Sequence, residues 1–369
     1  MRTWVAAVSL GLALAGCSSA DPEAEPSRTA TLAPTSTPTS TPTSTPVSTP
    51  STSPSPTEIG TPVPEPKRLV VPPGSDTLSE PWREVFVIPY GPGEELLGTS
   101  PGGDSGTLDI GPEYGAPGPD GTWWFLDTAK QRLAHYSADG GFLDAVRIPA
   151  RLLVDRRYFQ WQLPHTLADG TLVAARQTFH DGAQLLRLRQ GALDEVAAGG
   201  DFAPTYSDGT RLFSTSGRDR WVAWDPVSGG GLQVVRSLTT PTGSTFLVTM
   251  DFDRGKLRLV LPEAGVARSL PVRTASGARA HVGLQVRAGA DGTVHLFLAG
   301  AGEDDESVQL VGYASVSPSG TVSRVEPLPD PFSEADPGSP AQLVIAPGAT
   351  TPMLVYVLED GVHVFARTG

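Results

Sequence analysis

The sequence predicts an all-β body built from six similar sheet units, and three observations lead to that reading. Turn signals recur at Asp120-Gly121, Asp169-Gly170, Asp208-Gly209, Arg254-Gly255 and Asp291-Gly292, at intervals of 49, 39, 46 and 37 residues, with a weaker equivalent, PGATTP, near the C-terminus. Each signal precedes a run of strand character: TWWFLD, TLVAAR, TRLFSTS, KLRLVLP, TVHLFLAG and MLVYVLED. Several of these runs are apolar at consecutive rather than alternate positions, yet they are too short and too closely bounded by glycine to be helices.

A strand that is apolar on both faces, in a chain without helical crossovers, must lie in a sheet packed between two other sheets. The blades of a six-bladed beta-propeller meet that demand, because each four-stranded blade packs against its neighbours around a common axis. Six units in about 290 residues give roughly 48 residues each, within the period of ~40–50 known for propeller blades. The segment DGTWWFLDTAKQRLAHYSADGGFL, Asp120 to Leu143, displays the unit best. DGTWWFLDT reads as turn and second strand, KQRLAHYS as third strand, and ADGGFL as turn and fourth strand. This segment resembles an NHL-type or related six-bladed propeller repeat, with fair matches at ADGTLVAAR and SDGTRLFSTS. EVFVIPYG, Glu84 to Gly91, precedes the first full unit and is predicted to complete the last blade. Closing the ring with strands from both termini would remove its exposed edges.

The N-terminus has its own logic. Arg2 supplies a positive start, Trp4 to Leu14 an apolar stretch, and LAGC (Leu14 to Cys17) ends it with small residues before a cysteine. This resembles a bacterial lipoprotein signal with its lipobox. The resemblance implies cleavage before Cys17 and attachment of a diacylglyceryl group to its thiol, with the usual acyl chain on the new amino terminus. Cys17 is also the only cysteine, so no internal disulfide is available to an exported chain, and lipidation accounts for its placement. From Ser27 to Thr57 the chain is almost entirely Ser, Thr and Pro, with prolines every fourth residue from Pro34 to Pro54. Such a tract has no apolar face to bury and favours extended polyproline-like conformations. At about 3.1 Å per residue it reaches roughly 100 Å when fully extended, a stalk fit to lift a body off a membrane. The expected organisation is therefore a signal peptide over 1–16, a Thr/Ser/Pro-rich linker over 17–66 and the propeller over 67–369, a monomer on the extracytoplasmic side of the membrane.

Charge narrows the partners. The formal net charge of −13 becomes −14 once residues 1–16, whose one charged side chain is Arg2, are removed. Phosphate backbones repel such a surface, so nucleic acid is not expected as a partner. The chain holds no Asn at all, which excludes N-linked glycosylation, while the Thr density of the stalk suits O-linked glycans.

Two strings invite a hydrolase reading and fail it on chemical grounds. GGDSG, Gly102 to Gly106, matches the nucleophile segment of trypsin-like proteases, whose histidine and aspartate lie upstream; here the first histidine is His135. GTSPG, Gly98 to Gly102, has the spacing of a nucleophile elbow, but Pro101 follows Ser100 and lacks the backbone N–H that an oxyanion hole requires. Calcium-dependent lactonases on six-bladed propellers use carboxylates with asparagines, and the amide ligands are missing. EDDES, Glu303 to Ser307, is the densest acidic run, and without ligand spacing it reads as a solvated loop. The histidines, His135, His165, His180, His281, His295 and His363, show no metal-ligand spacing; His135, His295 and His363 fall inside strands and are expected to pack. Trp123, Trp124, Trp221 and Trp224 are expected as packing anchors of the blades.

No catalytic residue, metal or cofactor is therefore assigned. The ligand-binding residues are expected where second-to-third strand loops and the connections between blades surround one channel mouth: Tyr158, Trp161, His180, Arg218 and Arg220, with Arg156, Arg157, Asp219, Asp304 and Asp305 near them. The expected function is a lipid-anchored, extracytoplasmic binding or scaffold module of the cell envelope, recognising an envelope protein, peptide or glycan. The rival reading on the same fold is an enzyme, a metal-dependent lactonase-like hydrolase or a quinone-dependent dehydrogenase, and fold alone does not choose between the two.

Overall fold

A computed structural model describes residues 66–75, 78, 80–99, 112–149, 159–161, 163–178, 182–196, 202–215, 220–229, 231–304, 309–329, 341–358 and 360–368. Regular structure among them is entirely β. Two strands, β1 (Leu69–Val70) and β2 (Trp82–Pro89), precede the six sheets. The first blade is β3 (Pro112–Pro117), β4 (Trp123–Asp127), β5 (Arg132–Tyr136) and β6 (Phe142–Arg147). In the second, β7 (Phe159–Trp161) and β8 (His165–Thr166) share the inner position ahead of β9 (Leu172–Thr178), β10 (Gly182–Arg189) and β11 (Ala192–Val196). The third blade holds β12 (Tyr206–Ser207), β13 (Leu212–Thr215), β14 (Trp221–Trp224) and β15 (Gln233–Val235), and the fourth β16 (Leu238–Thr239), β17 (Thr245–Asp251), β18 (Lys256–Leu261) and β19 (Val266–Arg273). β20 (Ala280–Ala288), β21 (Val294–Gly302), β22 (Gln309–Val316) and β23 (Glu326–Pro327) make the fifth. Only three strands follow for the sixth: β24 (Gln342–Val344), β25 (Met353–Val357) and β26 (Gly361–Arg367).

The missing fourth strand comes from the other end of the chain. β2 pairs antiparallel with β26, from Trp82 opposite Arg367 to Pro89 opposite Gly361, so EVFVIPYG completes the last blade as its sequence suggested. Gly361 is required there, because a Cβ on it would stand 2.5 Å from the Ile88 carbonyl oxygen. β1 joins the ring as well, pairing parallel with β19 at the outer edge of the fourth blade. The molecule is a six-bladed beta-propeller whose N-terminal strands are built into blades made by later sequence.

The core lies between blades, which explains the unalternating apolar runs. In β21, Val294, Leu296 and Leu298 pack towards the fourth blade, while Phe297 between them packs with Tyr313, Leu343 and Tyr356 towards the sixth. In β9, Leu172 and Ala174 face the first blade and Val173 and Ala175 the third. Trp123 anchors the ring closure, edge-on to Phe86 of β2 at 5.7 Å and stacked with Phe125 at 5.8 Å. Trp224 is buried against Phe202 at 5.9 Å.

The periodic element is the turn between first and second strands. Gly121, Gly170, Gly209, Gly243, Gly292 and Gly348 all adopt φ between +80° and +90°, a left-handed conformation that favours glycine. In four of these turns an Asp side chain accepts a bond from the backbone N–H two residues on: Asp120 from Thr122, Asp169 from Thr171, Asp208 from Thr210 and Asp291 from Thr293. The fourth blade corrects the sequence reading. Its equivalent turn is at Thr242-Gly243, where Thr240 takes over the role of aspartate by accepting from the Ser244 N–H. Arg254-Gly255 instead joins β17 to β18, so KLRLVLP supplies the third strand of its blade, not the second.

Candidate functional site

Six first strands meet at the axis, and their side chains bind the blades to one another. Gln342 of β24 accepts from the Gly115 N–H at 3.0 Å and donates to the Gly115 carbonyl at 2.9 Å, standing in for a strand neighbour across the ring closure. Gln285 of β20 does the same for β24, donating to the Ala341 carbonyl and accepting from the Leu343 N–H, both at 2.9 Å. Tyr206 donates its hydroxyl to the Thr239 carbonyl at 2.7 Å, and His165 Nε2 lies 3.3 Å from the Pro204 carbonyl.

At the C-terminal ends of these strands a cavity of about 50 Å³ opens, and all six blades line it, from Pro117 and Thr166 to Ser207, Pro241, Ala288 and Val344. One charged side chain reaches it, Arg287, which is only 7% exposed. Its Nη1 donates to the Thr205 carbonyl at 2.9 Å and to the Val286 carbonyl at 2.7 Å. Among the described residues no carboxylate pairs with it. Leaving an ion without a counter-charge in the interior costs several kcal/mol. Burial accordingly pulls the Arg287 pKa down to about 10, with Tyr206 acting weakly the other way, so the guanidinium remains a cation at neutral pH. Its neighbour His165 is pushed down to about 3, chiefly by burial and then by the charge of Arg287, so its ring is neutral. Two hydroxyls complete the polar lining. The Thr166 Oγ1 is buried with no partner among the described residues, and the Ser207 Oγ accepts from the Gly209 N–H at 3.0 Å, leaving its own hydrogen to give.

Few of the residues expected from the sequence fall within the described structure. Tyr158, His180 and Arg218 lie outside the described residues, as do Arg156, Arg157, Asp219, Asp305 and the lipidation candidate Cys17. Trp161 is on β7, the inner strand of the second blade, opposite Arg176, with only its backbone described. Arg220 is exposed immediately before β14. Asp304 is exposed and accepts a bond from the Ser276 hydroxyl, and Glu303 pairs with Arg279 at 3.6 Å. Ser100 and the whole of GGDSG fall outside the described residues, while Gly98 donates its N–H to the buried Asp127 carboxylate. Among the described residues no group of three or more His, Cys, Asp or Glu side chains is placed to hold a metal ion.

The strand histidines divide. His295 is buried and shares a 2.6 Å hydrogen bond with the Tyr313 hydroxyl, and burial lowers its pKa to about 4. His135 stacks flat on Trp124 at 4.1 Å. His363 is different, held at 2.9 Å between Glu84 of β2 and Asp360. Burial alone would lower its pKa, but the two carboxylates outweigh burial and raise it. The sequence reading missed Arg287 and His165 as site residues. The available signal was the polar alternation Gln285, Arg287 inside AHVGLQVRA, a first strand whose other polar side chain is His281.

Solved structures resemble the chain at low identity and low similarity. A streptogramin B lyase shares 12% identity with a TM-score of 0.38, covering 72% of this chain and 85% of the lyase. The virginiamycin B lyase of Staphylococcus aureus shares 10% with a TM-score of 0.38, covering 70% and 96%. A calcium-binding regucalcin from Agrobacterium tumefaciens strain C58 shares 13% with a TM-score of 0.38, covering 71% and 93%. No curated protein matches the chain in sequence. Residues 80–367, from just before the closing strand β2 to the end of β26, match a family described as a domain of unknown function, DUF7485, and the chain belongs to that family.

Proposed function

We propose that this chain is a binding propeller of the cell envelope, tethered through a lipid on Cys17 and holding its ligand non-covalently in the axial cavity. The observation that carries the reading is the Arg287 cation, paired with no carboxylate among the described residues, in a cavity lined by all six blades. A buried charge held by backbone carbonyls and left without a counter-ion is costly to keep for architecture alone, and a ligand that brings the counter-charge relieves that cost. The enzyme alternative, a lactonase-like hydrolase or quinone-dependent dehydrogenase, needs convergent acid–base or metal-binding groups at the axis. The cavity lining offers one cation, one neutral imidazole and hydroxyls. A second binding surface is proposed at the other mouth, where Tyr158, Trp161, His180, Arg218 and Arg220 would present aromatic and guanidinium groups to an envelope protein, peptide or glycan. The exposed Arg220 favours it, since such side chains often carry interface energy.

The test is relaxation-edited NMR of an envelope extract with the full chain and with Ala346→Leu, which narrows the cavity mouth at a half-buried position. The expected result is at least one extract component bound by the wild type and released by the variant. Binding that the variant leaves unchanged places recognition away from the cavity.

A further inference from the structure

The axial cavity is more specific than a general pocket, because it sets one cation, unpaired among the described residues, beside hydroxyls that can donate to an anion. A guanidinium has five N–H donors. Arg287 spends its Nη1 on the Thr205 and Val286 carbonyls, and among the described residues its Nε and Nη2 have no partner. Those two nitrogens form one edge of the guanidinium, the side-on fork that matches the two oxygens of a carboxylate in a single plane. The fixed Nη1 bonds also remove the rotational freedom that would otherwise be lost on binding. The orphan Thr166 hydroxyl and the uncommitted Ser207 hydroxyl bring further donors from the second and third blades. Gln342, which could have supplied an accepting oxygen, is bound through both ends of its amide to Gly115. His165 lies against the Pro204 carbonyl and is neutral, so it adds no second positive charge. The remainder of the lining is largely apolar and includes Pro117, Pro164, Pro241, Ile345 and Pro347.

Shape selects within the anions. The cavity of about 50 Å³ has room for the head group of a small ligand. A carboxylate fits both that space and the planar edge. A tetrahedral oxyanion would use one edge and bring further oxygens to walls made of proline and aliphatic carbon.

We infer that the axial cavity is a carboxylate-binding site, taking a small ligand with one carboxylate on the Nε–Nη2 edge of Arg287 and an apolar remainder at the proline-lined mouth. The inference rests on the proposed reading of the cavity as the ligand site, and goes further by naming the ligand's chemistry.

The experiment uses the full chain and four probes: propionate, butyrate, propionamide as the neutral counterpart, and inorganic phosphate. Binding is followed by isothermal calorimetry and by NMR of the methyl groups of Val344, Ile345 and Ala288. The expected result is saturable binding of both carboxylates with shifts confined to those methyls, and at least tenfold weaker binding of propionamide and phosphate. Arg287→Lys, which keeps a cation but loses the fork, is expected to weaken propionate at least tenfold. Arg287→Gln tests the charge, and Thr166→Val supplies an independent variant should either Arg287 change prevent folding, with an expected loss of about threefold. Arg254→Gln, at an exposed ion pair far from the axis, should bind as the wild type does. Propionamide binding as well as propionate, or phosphate binding more tightly, overturns the carboxylate assignment while the cavity remains the ligand site. Failure of all four probes to move the cavity methyls, together with an extract ligand released by Ala346→Leu, also overturns it. Failure of the probes with no cavity-dependent extract ligand overturns the proposed function as well.

Discussion

Removing the closing strand should unfold the ring. β2 buries Trp82, Phe86 and Ile88, at 5%, 7% and 1% exposure, into the seams on either side of the last blade. Each such side chain contributes about 2 kcal/mol by burial, so the three together contribute about 6 kcal/mol. The whole fold of a domain is worth about 5–15 kcal/mol, so the loss removes most of the margin. The loss extends to the partners: Tyr313 loses the edge contact with Trp82 at 5.3 Å, Trp123 the one with Phe86, and β26 becomes a bare edge along a ladder of seven residue pairs. Bodies beginning at Lys67, Pro81 and Gly91 separate the effects, since the second lacks β1 alone and the third lacks both strands. Thermal melts followed by far-ultraviolet circular dichroism should show cooperative unfolding for the first two and a broad, low transition for the third. Excess synthetic peptide spanning Trp82–Pro89 should restore cooperativity to the third body by docking on β26. Equal melting of the Pro81 and Gly91 bodies would refute the reasoning, because it would mean that the last blade is stable with three strands.

His363 makes the same seam sensitive to pH. Its pKa is raised in the folded state by Glu84 and Asp360, so the stability it contributes is fully present below the unfolded value of about 6.5 and is lost as pH rises through the higher folded value. The stability gap between wild type and His363→Gln should therefore shrink in melts run at stepwise higher pH, and a gap that widens towards alkaline pH contradicts the ion-pair assignment. Cys17→Ala should release the chain from the membrane fraction or leave it unprocessed; retention unchanged, with no fatty-acid label on the wild type, removes the lipid anchor from the proposal.

Blade repetition was legible because it is written in local chemistry. A glycine at φ near +80° after an aspartate that holds the next N–H leaves the dipeptide Asp-Gly in the sequence, and four turns carry it. The fourth blade escaped because Thr240 does the work of aspartate, while Gly255, also at positive φ (+53°), offers a decoy one strand later. The closing strand was legible from simple want of a partner for an apolar run ahead of the first blade. The axial site was not. Arg287 sits in a strand like any other until the topology brings six first strands together, and its distinguishing property, a charge with no counter-ion among the described residues, is a fact about residues from other blades. Sequence reasoning weights aromatic and charged loop residues, and it therefore favoured Trp161, Arg218 and Arg220 over a lining of prolines and alanines.

The pairing of β2 with β26 also fixes the order of events when the chain is made. Trp82–Pro89 emerges from the ribosome, and from any export channel, some 280 residues before its partner Gly361–Arg367. Over that interval a strand with three large apolar side chains waits without a sheet, and the five intervening blades assemble into an open arc. Contacts so distant in sequence fold slowly, since the intervening chain must be ordered first. A nascent chain of this kind is at risk from any other edge of similar pattern, including the unfinished last blade of a second copy, which would accept β2 in trans as readily as its own.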